Sequence, residues 1–372
     1  MAITRLGPNQ DITAAKIAGT INFKNLIING DMSIAQRGTS VTGVTTTDGY
    51  YTCDRWRSQT DIGTWTISQS TDVPTGQGFA NSFKMDCTSA GTSNADEVGI
   101  RQYIEGQFLQ QLAYGTSSAK SITISFWIKS NKTGDYTFSI KNVNSSQERL
   151  LGFNYTIDSA DTWEKKTFTF SGDTSTSIEN TNSAEFEIYW WFSAASALRT
   201  GTVSNTWQNF SSGNHAISTL AGLGGSTDDE VYLTGVQLEV GTSASDFEFL
   251  PYDVNLQRCE RYFEKYERDT TESHPLQCVA ECDSAGRGEC ILYYKEKRSS
   301  PSITLTHTGA QWGRLNGTPN SYVTITGSIT TAVGIGKKSA QIFATTGGTI
   351  NTGEITFMRF TGTDKIEIDA EL

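Results

Sequence analysis

The stretch SITISFWIKS, residues 121–130, limits the possible folds more than any other. Strict alternation puts Ile122, Ile124, Phe126 and Ile128 on one face and Thr123, Ser125, Trp127 and Lys129 on the other, the period of a strand with one face in a core. NKTGDY then supplies turn chemistry before YTFSIKN, so a hairpin is expected here. EFEIYWWFS (185–193) repeats the alternation with larger groups. Phe186, Ile188, Trp190 and Phe192 share one face, while Tyr189 and Trp191 take the other, which should be covered or should bind something.

TWTISQS (64–70), NSFKMDC (81–87), TWEKKTFTFSG (162–172) and VYLTGVQLEVG (231–241) read as further strands. The chain has 35 Gly, 6 Pro, much Thr and Ser and only 19% charged residues, as suits short strands joined by polar turns. The expected class is all-β. Two stretches break the pattern. Ile104, Phe108, Leu109 and Leu112 predict a helix over 102–114 that stops at Gly115. Leu256, Cys259, Phe263 and Tyr266 predict another over 253–267, with Asp253 as N-cap after Pro251.

A length of 372 residues calls for more than one domain, and the second helix falls where the composition changes. The expected division is an arm at 1–24, a β unit at 25–252, and a linking helix with a smaller β-sandwich at 253–372. In the last part GECILYYK (288–295), SPSITLTHTG (300–309), NSYVTITG (320–327), KSAQIFATT (338–346), GEITFMRFTG (353–362) and DKIEIDAEL (364–372) read as strands. The arm lacks the apolar groups to fold alone and should be ordered by a partner.

A net charge of -11 argues against nucleic acid, whose binding rests on Lys and Arg displacing counterions. No run of 18 apolar residues suggests membrane insertion, and MAITRLGPNQ lacks the apolar centre of a signal peptide. Assembly in a cytoplasm is expected, with all six cysteines as free thiols. His274, Cys278, Cys282 and Cys290 form a local cluster, but their spacing fits no zinc ligand pair, and no metal or other cofactor is expected.

NLIINGDMSIAQRGTS (25–40), YTCDRWR (51–57), SITISFWIKS, TWEKKTFTF, VYLTGVQLEVGTSASDFEFLPY and LQRCERYFEKY, in that order, resemble a domain of bacteriophage tail fibres and related virion proteins. That domain in turn resembles the jelly-roll carbohydrate-binding modules of glycan-degrading enzymes. The resemblance spans about residues 25–266 and implies a jelly-roll β-sandwich whose first strand is NLIING. Gln36, Arg37, Asp54, Arg55 and Trp56 then either close the sandwich, with an Arg pairing to Asp or to backbone and the Trp sealing the base, or contact a ligand. Such jelly rolls often hold a structural calcium, yet no dense Asp/Asn loop here marks its ligands.

No pair of carboxylates stands out for glycan hydrolysis, and Asp228, Asp229 and Glu230 read as a solvated turn. His215, His274 and His307 adjoin no nucleophile motif, and GLGGS (222–226) reads as a flexible connection rather than a phosphate loop. Catalysis is not expected. A sugar site needs exposed rings beside planar polar groups, and Trp127, Tyr189, Trp191 and Trp207 are the candidate rings, with Asn205, Gln208 and Asn209 beside the last. Trp207, in SNTWQNFSSGN, should be the most exposed.

The function expected is a short tail fibre, a homotrimer docked to other virion proteins through residues 1–24, that recognises host cell-surface glycan. The alternative is a head fibre, capsid decoration or tail-assembly protein with no glycan binding.

Overall fold

The computed structural model describes residues 23–45, 48–92, 97–143, 147–267, 277–282, 287–306, 311–314, 322–324, 329–331, 334–345, 355–359 and 365–372. The first part holds β1 (Ser40–Val44), β2 (Gly49–Tyr50), β3 (Arg57–Thr60), β4 (Thr64–Ser70), β5 (Ser82–Ser89), β6 (Val98–Glu105), β7 (Ile122–Ser130), β8 (Gly134–Asn142), β9 (Arg149–Ile157), β10 (Glu164–Phe170), β11 (Ala184–Ser193), β12 (Gln208–Asn209) and β13 (Glu230–Val240). They form a six-stranded sheet, β1-β4-β5-β13-β7-β10, and a seven-stranded sheet, β12-β9-β8-β11-β6-β3-β2. All pairings in both are antiparallel, and the two sheets make a jelly-roll sandwich.

The alternation of β7 sends Ile122, Ile124, Phe126 and Ile128 inward, all without solvent contact. Phe126 meets Trp190 of β11 edge-on at 5.5 Å, and Phe138 of β8 and Trp56 meet the same indole at 5.2 and 5.7 Å. These rings fill the space between the sheets with large apolar area.

The hairpin expected at 121–142 is a crossing between sheets. β7 pairs with β10 and β13, whereas β8 pairs with β9 and β11. The turn is held from outside the pair: Asn131 donates to the Asp228 carbonyl at 2.5 Å and accepts from the Glu230 amide at 3.0 Å, and Lys132 Nζ reaches the Gly222 carbonyl at 2.6 Å. These bonds turn the chain onto the opposite sheet.

The helix expected over 102–114 is also corrected. Gln102–Glu105 end β6, and two short 3-10 turns follow, Gly106–Phe108 and Gln110–Leu112. Ile104 points inward and pairs with Phe186 on β11, so strand pairing takes the residues that began the helical pattern. NLIING is not a regular strand. It lies along the bulge in β13, where Leu26 donates to Leu238 at 2.9 Å, Val236 donates to Gly30 at 2.9 Å, and the Asn25 amide bridges Val236 and Leu238. GLGGS is packed rather than a free connection: Leu223 is buried and bonds to Phe192. Asp229 is buried too, accepting from the Gly224 and Ser226 amides at 2.8 and 3.1 Å, so it is not part of a solvated turn.

Helix α1 spans Tyr252–Glu260, with Pro251 at the cap position and Asp253 in the first turn. The chain then extends instead of continuing the helix, through β14 (Phe263–Glu267), β15 (Gln277–Cys282), β16 (Arg287–Tyr293), β17 (Ser302–Thr306), β18 (Gln311–Arg314), β19 (Tyr322–Thr324), β20 (Ile329–Thr331), β21 (Ser339–Thr345), β22 (Ile355–Arg359) and β23 (Lys365–Asp369). These make a three-stranded sheet, β14-β23-β17, and a seven-stranded one, β19-β18-β22-β15-β16-β21-β20.

Cys53, Cys87 and Cys259 are free and buried, but Cys290 is disulfide-bonded, which corrects the expectation of six free thiols. His274, His307 and residues 1–22 of the arm lie outside the described residues. Among the described residues no helix is long and apolar enough to cross a membrane.

Candidate functional site

The opening motif forms a seam. Trp56 is fully buried and donates its indole N–H to the Asn29 carbonyl at 2.8 Å, and Asp54 is held by the Gln36 amide and side chain at 2.9 and 2.5 Å. The arginines do not pair with Asp54; they cross to the last part of the chain. Arg37 pairs with Asp369 at 2.9 Å and lies 3.6 Å over Phe263. Arg55, buried completely and held at φ 72°, pairs with Glu371 and lies 3.5 Å over Tyr262. Buried Glu105 accepts from Arg261 Nε and Nη2 at 2.9 and 2.8 Å and from the Tyr262 hydroxyl at 2.5 Å. This motif therefore joins the jelly roll to α1, β14 and β23, with its polar groups turned toward protein.

The outer face of the seven-stranded jelly-roll sheet has a different character. Register sets Tyr103, Glu187 and Lys141 in one row, Arg57, Arg101, Tyr189 and Ser139 in the next, and Gln59, Gly99, Trp191, Thr137 and Asn154 in the third. Arg101 donates to Glu187 and to Gln59 at 3.0 Å each and also pairs with Asp48, which takes Arg57 at 2.8 Å. Tyr103 donates its hydroxyl to Glu187 at 2.9 Å, and the Gln59 amide reaches both oxygens of Asp61 at 2.7 Å. Tyr103, Arg57, Gln59, Asp61, Glu97, Arg101 and Glu187 are all half-buried. The planar groups of all but Glu97 are thus fixed by their neighbours on the face while part of each stays open, as recognition of hydroxyl-rich ligands requires.

Charge on this face is uneven. Burial, then Asp61 and Glu187, push the Glu97 carboxyl up to about 7. Burial and Glu187 likewise raise the Tyr103 hydroxyl to about 12.

The β8 side of the same face is roofed by residues 194–221. Trp191 donates to Ser139 at 2.8 Å and meets His215 edge-on at 5.0 Å, under buried Ala194 and Ala216. Burial drives His215 down to about 4, so it stays neutral against the indole.

The candidate rings do not converge. Tyr189 and Trp191 are each 2% exposed, which corrects the expectation of an open stacking surface at these two rings: the roof occupies it. Trp127 is half-buried on the other sheet's outer face, close to Phe79 over Gly235. Trp207 is half-buried as well, set against Tyr114 and Phe186 at 5.8 Å each, with its N–H on the Ser171 carbonyl at 3.1 Å. Apolar contact outweighs its polar sequence surroundings, so it is not the open ring expected. Asn205 is exposed, Gln208 donates to the Thr202 carbonyl at 3.2 Å, and Asn209 accepts from Gln147 and Arg149 at 3.0 and 2.6 Å. Sequence reasoning missed Gln59, Arg101, Tyr103 and Glu187; the one signal for the first three was planar polar groups at alternate positions of RSQTD and GIRQYIE.

No protein-family model matches this chain. No curated protein matches it in sequence. Among solved structures it is similar to the enzymatically active domain of bacteriophage CBA120 tailspike protein 4, at 13% identity and TM-score 0.32, over 58% of this chain and 21% of that one. It is also similar to the family 11 carbohydrate-binding module of a Clostridium thermocellum cellulosomal cellulase, at 12% identity and TM-score 0.25, over 59% of this chain and 96% of that module. A third is the N-terminal cellulose-binding domain of Cellulomonas fimi β-1,4-glucanase C, at 12% identity and TM-score 0.27, over 57% and 99% of the two chains. The matched region spans about a fifth of the tailspike chain.

Proposed function

We propose that this chain is a non-catalytic bacteriophage virion protein, a short homotrimeric tail fibre whose seven-stranded jelly-roll face recognises host surface glycan. The virion assignment rests on the ordered motifs of residues 25–266 that resemble tail-fibre domains. Glycan recognition rests on one observation: the half-open cluster Gln59, Arg101, Glu187 and Tyr103, set across three neighbouring rows and pre-set by its own hydrogen bonds. Sugar hydroxyls pair with such carboxylate, amide and guanidinium groups, and the CH face of a ring packs on tyrosine. The arm at 1–24 docks to the virion in this reading, and assembly takes place in the host cytoplasm.

The test uses the full chain. Gln59→Ala and Tyr103→Ala alter groups at an open face, so melting should hold while adsorption to host cells and glycan-array binding fall at least tenfold, about 1.4 kcal/mol. Undiminished adsorption by both variants would remove this face from the reading. Light scattering of the purified protein checks the trimer, and antibody labelling of intact particles checks the tail.

A further inference from the structure

Four of the six large apolar side chains that stand exposed among the described residues belong to two patches at α1. The first patch is a groove of about 770 Å³ between α1 and the 3-10 turns that follow β6. Phe23, Ile28 and Phe108 line one side, and Val254, Arg258 and Arg261, at the spacing of a single helical face, line the other. Among the described residues no carboxylate lines it, in a chain whose net charge is -11. Arg261 is spent on Glu105. Half-buried Arg258 makes no ion pair among the described residues and donates only to the Asn25 carbonyl at 3.3 Å, while Glu248 accepts from the Lys24 and Asn25 amides instead. Its guanidinium stands 5.7 Å from the centre of the exposed Phe23 ring, so an apolar wall and an unmatched cation share the groove.

The second patch is the complement of the first. Phe249, Pro251, Tyr252 and Asp253, which lead into α1, are all exposed. Phe249 is propped from beneath by Phe79 and Phe247 at 5.2 and 4.8 Å, and Pro251 restricts the backbone that carries Tyr252. Tyr252 is 63% exposed, and Asp253 has neither an ion pair nor a hydrogen bond among the described residues. Two rings and an unmatched acid thus form a knob. Within one chain Asp253 and Arg258 lie five positions apart, about 140° around α1, and do not meet, so a match between them is made between copies. Apolar rings beside opposite charges are what an interface core and its rim require. Knob and groove are different surfaces, so the contact runs head to tail, and a rotation that closes after three copies makes a ring.

We propose that the knob at 249–253 of one copy seats in the groove of the next, its rings against Phe23 and Phe108 and Asp253 on Arg258, and that this contact builds the trimer. It names the interface of the trimeric reading above and rests on that reading.

The experiment is sedimentation equilibrium of the purified full chain as wild type, Tyr252→Ala, Asp253→Arg, Arg258→Asp and the double variant Asp253→Arg/Arg258→Asp, with a melting curve for each. The wild type should sediment as a trimer. Tyr252→Ala and Asp253→Arg change exposed side chains, so both should melt normally and dissociate at least tenfold more readily. Arg258→Asp should dissociate as well, and the double variant, which exchanges the two charges, should regain the trimer. Should Arg258→Asp melt early, the two knob variants still decide. A trimer kept undiminished by Tyr252→Ala and Asp253→Arg, or a folded double variant no tighter than the single ones, overturns this interface and leaves the trimeric reading standing. A wild-type monomer or dimer overturns both.

Discussion

Trp56 meets no solvent, bonds to the Asn29 carbonyl and packs on Trp190, so Trp56→Ala removes a ring whose space nothing nearby can refill. The expected cost is about 3–5 kcal/mol, measured by urea unfolding. Trp207→Ala should also destabilise, by roughly 1–3 kcal/mol, because that ring sits against Tyr114 and Phe186 rather than in water. A normal melting curve for it would contradict the packing described. Asp54 tests the seam through pH. Burial, against the opposing pull of Arg37 and Gln36, raises its carboxyl from 3.8 to about 6. A raised acid binds more proton in the folded state, so wild-type stability relative to Asp54→Asn should fall as pH rises from about 4 to 6 and stay level above. The difference lost should be roughly 2–3 kcal/mol, read from denaturation at several pH values.

Elements make their own demands, and β6 shows them best. Gly99 lies so close to Tyr189 and to the Trp190 carbonyl, 2.5 Å from an added Cβ, that Gly99→Ala must separate β6 from β11. A cost of about 1–3 kcal/mol is expected, with faster hydrogen exchange in those two strands. Unchanged protection there would show that the tyrosine can move aside. Strand identity was legible where alternation was strong: Ile122 to Ile128 and Phe186 to Phe192 point inward as read. Pairing was not. The turn after Ser130 carries ordinary turn residues, and what turns β8 onto the other sheet is bonding to residues 222, 228 and 230. Ile104, Phe108 and Leu112 mimic helical spacing, but the first of them belongs to a strand. The site was the least legible part, since Gln59, Arg101 and Glu187 come from three strands and meet only through register. Large rings drew attention to Tyr189 and Trp191, yet no local pattern shows that residues 194–221 would fold over them.

Across the whole molecule the seam decides cooperativity. Arg55, Glu371, Tyr262, Glu105 and Arg261 form a buried polar junction between the jelly roll and the later strands. Removing one partner of such a pair leaves a buried charge uncompensated, so Glu371→Ala should cost about 3–5 kcal/mol. The wild type should melt in one calorimetric transition and Glu371→Ala in two, as the units uncouple. A single transition in both would mean that apolar contacts such as Tyr262 with Ile28 and Ile34 carry the coupling instead.

The same ion pair also sets a schedule for synthesis. Arg55 and Glu371 stand 316 residues apart, so a ribosome adding about 5–20 residues per second makes the arginine wait roughly 15–60 s for its counter-charge. Until then the guanidinium has only water and the Tyr103 carbonyl to bond, and the base of the jelly roll cannot lock. Every residue needed for the two jelly-roll sheets has by that time been made. Nascent chains stalled at residue 300 should therefore carry the jelly-roll strands yet yield to protease at 25–56, and release of the full chain should end that sensitivity.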